Sequence, residues 1–437
     1  MIYQHKLLRN AACDIRQLRS RMQVLIVNDR TKWWLLSFAF LATVINYLNR
    51  QTLSVMAPVL LQQFRISATS YSQIVFAFML AYTIMNGVSG RLLDWLGTRI
   101  GYSLTIAFWS AAEILNALSS GALSLGIFQF LLGVGEAGNY PAGVKLITEW
   151  FAPEERSFAS GIFNSGASIG AILAPPLLAA IMLASGWRTA FVVIGLLGFM
   201  WLAGWLAIYR EPATPTRKDQ AGRLPLRLLV RSRFLWQFTL SKVFSDPVWY
   251  FYIFWFPQYL KVVHSFSLAE IGKTAWIPFF TAALGNLAGG AVFSALLRAG
   301  AGPATARRVA ILIFSALMSP AAFVGGISSP AACIALIATA TFGYSGALAN
   351  LLAIPGDVFP KEAVASVWGF ASMGAGIGGM VFSLVTGWLV DHYSFRPTFV
   401  LFGLIPLAAA WIVWTLPRKL EPALLLPQTG LGVPNDL

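Results

Sequence analysis

Few ionisable side chains lie inside the long apolar stretches of this sequence, and their types indicate ligand binding rather than bond cleavage. Arg50 lies in the first stretch, where a charged side chain is costly and usually faces a cavity or a partner. Tyr47 precedes it by three residues, which places both on one face of a helix. A guanidinium group binds carboxylates bidentately, and the Tyr47 hydroxyl could bind a hydroxyl group of a sugar. We therefore expect a hydroxylated anion as the ligand. Alternatively, Arg50 could only pair with an interior acid such as Glu136.

Glu136 lies within a later apolar stretch, in the segment GVGEAG. Burial disfavours the charged form of a carboxyl group, which suits a proton carrier, although a permanent ion pair is the alternative. The letters match a dinucleotide-binding fingerprint, but no strand precedes them, so we expect the glycines to allow close helix packing instead. Glu113, in the third stretch, belongs to no motif and could face a polar interior.

Two further pairs of charged residues are each four residues apart. Lys145 and Glu149 could be gate charges or ordinary interfacial charges. Lys242 and Asp246 precede Pro247, where we expect a helix break. The aromatic residues that follow could line a cavity or face lipid; they are Trp249, Tyr250, Tyr252 and Trp255.

Residues for enzymatic chemistry are sparse. The three histidines, His5, His264 and His392, are widely spread, without metal-ligand spacing, and Cys13 and Cys333 suggest no disulfide or thiol chemistry. We therefore predict no enzyme activity, no metal site and no cofactor.

The elements that position these residues are predicted to be transmembrane helices. The chain is 57% hydrophobic and 11% charged, with a mean hydropathy of +0.69. Its apolar runs are long enough to cross a bilayer as helices and too continuous for barrel strands. We predict an all-α membrane protein with twelve transmembrane spans at residues 33–60, 71–93, 100–119, 122–149, 158–184, 187–209, 235–260, 271–297, 309–327, 331–356, 363–390 and 395–416.

The basic residues indicate how the chain is oriented. Of 31 Lys and Arg residues, most lie in segments that share a side with the N-terminus, which predicts cytoplasmic termini and no nucleic-acid partner. The Pro-broken, charged segment between the sixth and seventh spans predicts a linker between two six-helix bundles. The expected units are an N-terminal tail (1–32), a first bundle (33–210), a linker (211–233), a second bundle (234–417) and a C-terminal tail (418–437).

The two predicted bundles also resemble each other. Residues 149–196 align with residues 357–404 without a gap, and the matched pairs include Glu149 with Asp357, Phe151 with Phe359, Gly161 with Gly369 and Arg188 with Arg396. A parallel repeat of six spans is typical of secondary transporters that rock about a central site.

A loop motif strengthens this interpretation. The segment GRLLDWLGTR, residues 90–99, resembles the loop signature of the major facilitator superfamily. Asp94 could cap a neighbouring helix and Arg99 could face a helix C-terminus, latching two helices together. The match is partial, because Trp95 stands where a basic residue is usual.

Three longer segments resemble a narrower group, the anion:cation symporters and particularly their sugar-acid members, such as hexuronate transporters. They are VINYLNRQTLSVMAPVL, GEAGNYPAGVKLITEWFAPEERSFASGIFNSGASIGAILAPPL and SDPVWYFYIFWFPQYL. The resemblance implies proton-driven import of organic anions, with Tyr82, Asn164 and Ser372 near the substrate. Asn49 departs from the family pattern, because many relatives have a proton-coupling Asp there. Either Glu136 then couples alone or the mechanism differs.

We therefore predict a major facilitator fold and proton-coupled import of a sugar-acid anion, a hexuronate or an aldonate. Substrate contacts are expected from Tyr47, Arg50, Tyr82, Asn164, Ser372 and Trp249, proton coupling from Glu136, and gating or structural roles from Asp94, Arg99, Lys145, Glu149 and Asp246. The alternatives are symport of an aromatic or dicarboxylic acid, or a polytopic membrane protein without transport activity. We expect a monomer in the bacterial inner membrane whose partners are the substrate, protons and lipid.

Overall fold

The structure, a computed structural model, describes residues 2–209, 226–359 and 361–416, and these residues are almost entirely helical. Residues 211–225 of the predicted linker and all of the predicted C-terminal tail lie outside the described residues. Helices are the expected outcome for such apolar runs, because a backbone in lipid must satisfy its own hydrogen bonds.

The first bundle contains α1 (Ile2–Phe64), α2 (Ala68–Asn116), α3 (Ala122–Glu136), α4 (Asn139–Trp150), α5 (Pro153–Ser185) and α6 (Trp187–Ile208). The second contains α8 (Arg233–His264), α9 (Leu268–Thr274), α10 (Ile277–Arg298), α11 (Pro303–Ala316), a 3-10 helix (Ser319–Gly326), α12 (Pro330–Leu351), α13 (Ile354–Val358), α14 (Lys361–His392) and α15 (Phe395–Trp414). A short helix, α7 (Leu226–Arg231), precedes α8.

These helices make twelve spans, as predicted. Eight helical segments within the described ranges are long and apolar enough to cross a membrane individually. The remaining spans are α1, the second half of α2, α3 together with α4, and α8. The turn inside α2 occurs at Gly97, whose φ of 76° is costly for any residue with a Cβ atom. The backbone conformation of this turn therefore explains why the loop motif has a glycine at position 97.

Several details differ from the predicted spans. The expected helix break at Pro247 is wrong, since α8 continues through both Pro247 and Pro257. Neighbouring helices in a membrane bundle can satisfy the backbone groups that a proline leaves free. Conversely, the fourth predicted span is interrupted between α3 and α4, and α1 begins at Ile2, so the predicted N-terminal tail joins the first span without a break.

The glycines beside Glu136 allow close helix packing, as the sequence predicts. A Cβ atom on Gly133 would lie 2.4 Å from the Phe78 carbonyl oxygen, and one on Gly135 would lie 2.7 Å from the Trp109 backbone nitrogen. Such distances are too short for any side chain. The two glycines therefore bring α3 directly against α2.

The bundles are joined near one side of the membrane, which we name the Phe64 side because α1 ends there; α1 carries Lys32 on the opposite, Lys32 side. Ser54 donates a hydrogen bond to the Ile253 carbonyl (2.6 Å), and Tyr71 donates one to the Phe254 carbonyl (2.7 Å). These bonds link α1 and α2 to α8, across the two bundles.

The end of α14 makes a further connection at the Phe64 side. The two Asp391 carboxylate oxygens accept hydrogen bonds from the backbone N–H groups of Ala68 (2.9 Å) and Thr69 (2.7 Å). These groups are among the unpaired donors at the start of α2, where a negative charge is favourable. Asp391 therefore caps a helix of the opposite bundle and joins the two bundles at the Phe64 side.

Candidate functional site

The centre of the first bundle contains an ion pair between Arg50 of α1 and Glu136 of α3. Arg50 Nε and Nη2 donate to the same oxygen, Glu136 Oε2, at 3.1 and 2.9 Å. Both residues are buried, with 6% and 1% exposure. The other oxygen, Glu136 Oε1, has no hydrogen-bond partner among the described residues. Arg50 Nη1 and Glu136 Oε1 therefore take no part in the hydrogen bonds of this pair.

Aromatic rings surround the Arg50 guanidinium. Its Cζ atom lies 5.1 Å from the ring centre of Tyr47, 5.5 Å from that of Phe78 and 4.6 Å from that of Tyr82. Rings at such distances stabilise a desolvated cation. Arg50 also lies about 27 Å along α1 from Lys32 and about 21 Å from Phe64, which is near the middle of the span. Tyr47 and Tyr82, two predicted substrate contacts, are therefore adjacent to Arg50.

The second bundle faces this cluster with aromatic residues of α8 and α12. Trp249 lies beside Tyr47 and stacks on Tyr344, with ring centres 5.4 Å apart and planes 6° apart. Tyr250 is within electrostatic reach of Arg50. Trp249, a predicted substrate contact, therefore reaches the Arg50 cluster from the opposite bundle.

Behind Trp249, α8 carries a second buried ion pair. Lys242 Nζ lies 2.9 Å from Asp246 Oδ1 and 2.6 Å from Asp246 Oδ2. The Tyr344 hydroxyl also donates to Asp246 Oδ1, at 3.5 Å. Both oxygens of Asp246 are therefore bound.

The remaining two predicted substrate contacts are placed differently. Tyr140 of α4 donates a short hydrogen bond (2.6 Å) to Asn164 Oδ1 of α5, and Tyr140 is within electrostatic reach of Arg50. Asn164 is thereby brought next to the cluster. Ser372 lies on an exposed face of α14 and makes no hydrogen bond to the cluster within the described residues.

The predicted gate charges form contacts inside the first bundle, on the Lys32 side. Lys145 donates to Asp94 Oδ1 (3.1 Å) and to the Leu93 carbonyl (2.7 Å), so Asp94 pairs with a lysine rather than capping a helix. Arg99 donates to the Leu206 carbonyl (3.2 Å) in the last turn of α6. Glu149 accepts from the Thr98 hydroxyl (2.7 Å). These contacts tie α2, α4 and α6 to one another.

The second bundle has a related contact at the position equivalent to Glu149. Asp357 of α13 pairs with Arg307 of α11. The aligned acids of the two halves therefore both bind partners within their own bundle. Across the described ranges, no group of three or more His, Cys, Asp or Glu side chains could hold a metal ion.

Sequence reasoning missed Tyr140 and Tyr344 as members of the cluster, and it left Tyr250 open between a cavity-lining and a lipid-facing position. In the sequence, Tyr250 lies within the aromatic run after Pro247, and Tyr140 lies within the segment GEAGNYPAG. No charge or spacing distinguishes these tyrosines from lipid-facing ones. Their positions become clear only when α4, α8 and α12 are packed around Arg50.

Comparisons with known proteins agree with this architecture. The chain is 32% identical over 416 residues to the hexuronate transporter of Escherichia coli K12, covering 91% of this chain and 96% of that protein. It is 32% identical over 335 residues to the galacturonate transporter of Dickeya chrysanthemi, with coverages of 72% and 96%.

A solved structure shares the fold. A bacterial homologue of the lysosomal transporter Spinster, in an inward-facing and occupied conformation, superposes with a TM-score of 0.72 at 18% identity, over 87% of this chain and 96% of that chain. The family model of the Major Facilitator Superfamily matches residues 39–347 and 294–433. The chain is a multi-pass membrane protein, and it belongs to the major facilitator superfamily.

Proposed function

We propose that this chain is a secondary transporter that imports a sugar-acid anion, a hexuronate or an aldonate, together with protons. The observation that carries the proposal is Arg50, a buried guanidinium at mid-span, with two tyrosines of its own bundle beside it and Trp249 of the other bundle facing it. The relatives named for hexuronate and galacturonate transport support the same substrate class.

In this proposal each polar group has a role in binding. Arg50 binds the substrate carboxylate through the donors that the Glu136 pair leaves available. Tyr47, Tyr82, Asn164 and Ser372 bind hydroxyl groups, and the Trp249 ring packs on a sugar face. The bonds of Asp94, Arg99, Lys145, Glu149 and Asp246 hold helices in place.

Proton coupling follows from charge balance around Arg50. Without substrate, the Glu136 carboxylate balances the guanidinium charge. When a substrate carboxylate binds the remaining donors of Arg50, two anions and one cation would share a poorly solvated site, and a proton on Glu136 restores neutrality. Binding of the anion and binding of a proton are therefore linked, and both are carried when the protein changes conformation.

Alternating access requires the bundles to separate on the Phe64 side. The interactions that must break there are the Ser54 and Tyr71 bonds to α8 and the Asp391 cap of α2. We place the Lys32 side and both termini in the cytoplasm of a bacterial cell, with the protein as a monomer in the inner membrane. The basic residues of the loops support this orientation.

A thermal-shift screen tests the substrate class. We expect hexuronates and aldonates to raise the melting temperature of the purified protein, since a ligand that binds the folded state stabilises it. The matched control is the neutral hexose with the same hydroxyl pattern, which lacks the carboxylate and should give little or no shift. Equal shifts from acid and neutral sugar, or none from any sugar acid, would contradict the proposed substrate class.

A further inference from the structure

Glu113, in the second half of α2, is a carboxyl group that the proposed mechanism does not use. Its side chain is fully buried, at 0% exposure. Neither of its oxygens has a hydrogen-bond partner within the described part of the chain. A buried, unpaired carboxylate is so unfavourable that such a group normally holds a proton. An ionisable residue at membrane depth also calls for a functional explanation.

The surroundings of Glu113 favour its protonated form. The nearby Thr52 hydroxyl donates its one proton to the Leu48 carbonyl, at 2.9 Å. Since neither Glu113 oxygen has a hydrogen-bond partner among the described residues, that hydroxyl does not offset the cost of burying a carboxylate there.

Among the described residues, few charged groups surround this part of α2. Glu136 of α3 is close enough to Glu113 to interact with it electrostatically. Arg50 of α1 is bound to Glu136. On α6, the residues packed against Ser110 and Ile114 are glycines, and Arg188 lies farther along, at the Ser119 carbonyl. The charged residues of α4, Lys145 and Glu149, lie on the Lys32 side.

The charges of this cluster balance only if the two acids hold one proton. The single Arg50 cation neutralises one carboxylate, and Glu113 and Glu136 provide two. Glu136 Oε1 and both polar atoms of Asn49 are also without hydrogen-bond partners among the described residues. Several unpaired polar atoms in one buried region indicate ordered water or exchangeable protons.

We propose that Glu113 is a second proton-binding residue, and that it titrates jointly with Glu136. In the empty protein the two carboxyl groups share one proton, so that Arg50, one carboxylate and one carboxylic acid sum to zero charge. With a substrate carboxylate on Arg50, both acids are protonated, and the sum is again zero. The proton gained on binding comes from solution. This consequence for transport rests on the proposed function, whereas joint titration does not.

An infrared titration of the substrate-free protein tests the joint titration. Above the pH at which exposed carboxyl groups ionise, about 4 to 5, we expect the carbonyl band of protonated carboxylic acids to disappear in two steps. Glu113→Gln and Glu136→Gln should each leave one step. Glu270→Gln, which removes an exposed carboxyl group, should leave both.

A single step in the unmodified protein, or two steps in folded Glu113→Gln, would overturn the proposal. The first of these results decides the matter even if the variant does not fold.

The pH dependence of substrate affinity separates this proposal from the proposed function. As pH rises, the unmodified protein should lose affinity in two stages, because ionised Glu113 makes the cluster net negative and repels the anion. Glu113→Gln should keep the first stage and lose the second. Absence of sugar-acid binding to the unmodified protein would reject the proposed function, while the infrared result would still decide whether Glu113 titrates. Binding by Glu113→Gln with both stages intact would overturn the role of Glu113.

Discussion

The two buried ion pairs of this protein look alike in composition but differ in construction. Arg50–Glu136 joins α1 to α3, across 86 residues of sequence, and its side chains are 5% and 0% exposed. Lys242–Asp246 lies within one turn of α8, and its side chains are 5% and 12% exposed. Both carboxylate oxygens of Asp246 are bound, whereas Glu136 keeps one oxygen without a partner among the described residues.

This difference indicates which pair can exchange partners. A pair four residues apart on one helix forms when the helix forms, and it needs no particular arrangement of the bundle. The Arg50 pair depends on how α1 packs on α3, and the guanidinium has donors left for a ligand. We therefore assign binding and coupling to the Arg50 pair and a mainly structural role to the Lys242 pair.

The largest expected effect comes from removing Arg50. Arg50→Ala should weaken sugar-acid binding by more than about a hundredfold, because truncating one partner of a buried, charged contact costs about 3 kcal/mol or more. Arg50→Lys should restore only part of the affinity, since an ammonium group lacks the planar fork. Isothermal titration calorimetry on folded protein measures both.

The matched control for Arg50 is Arg188→Ala. This arginine stacks on Trp187, 4.2 Å from its ring centre, at the start of α6 and outside the cluster. We expect near-native affinity from that variant. If Arg50→Ala bound sugar acids as well as Arg188→Ala, Arg50 would not belong to the site, and the assignment of roles to the two pairs would be reversed or lost.

Neutralising the acid of each pair should give two different defects. Glu136→Gln mimics a permanently protonated Glu136, so substrate exchange across vesicle membranes should survive at least in part, while accumulation driven by a pH gradient should collapse. Asp246→Asn leaves Lys242 buried without a counter-charge, which should lower stability, by on the order of 3 kcal/mol, and the melting temperature with it.

Reconstituted vesicles and melting curves of the two variants make the comparison. Accumulation by Glu136→Gln at the native rate would remove its proton role. An unchanged melting temperature in Asp246→Asn would show that the Lys242 pair does not stabilise the fold.

Much of this arrangement was predictable, because a rare charge in an apolar stretch is a strong signal. Arg50 with Tyr47, the acid at Glu136 and the spacing of Lys242 and Asp246 all follow from residue type and helical period. The fold followed from apolar length and from the repeat. The partner of Asp94 and the continuity of α8 through Pro247 could not be predicted from the sequence, because both depend on which helices are neighbours. For the same reason, Tyr140 and Tyr344 could not be separated from other aromatic residues.

The smallest expected effect comes from a change beside Arg50. It tests whether the neighbouring residue at position 49, and not only Arg50 itself, affects how tightly the substrate binds. Asn49 precedes Arg50, is 1% exposed, and has no hydrogen-bond partner for either polar side-chain atom among the described residues. Asn49→Asp would place a titratable acid in that position. When protonated, the new acid resembles the amide, so affinity at low pH should stay close to native.

As the introduced carboxyl group ionises with rising pH, it competes with the substrate for Arg50 and adds a negative charge to a buried site. Affinity should then fall by roughly tenfold relative to the unmodified protein, which corresponds to about 1.4 kcal/mol. Asn49→Ala, which removes the same amide without adding a titratable group, should keep the native pH profile. Because neighbouring acids titrate together, the fall should extend over a broader pH range than one independent group would give. The prediction fails if substrate affinity depends on pH in the same way in the Asn49→Asp and Asn49→Ala variants. Position 49 would then have no electrostatic effect on Arg50, and Glu136 alone would compete with the substrate for it.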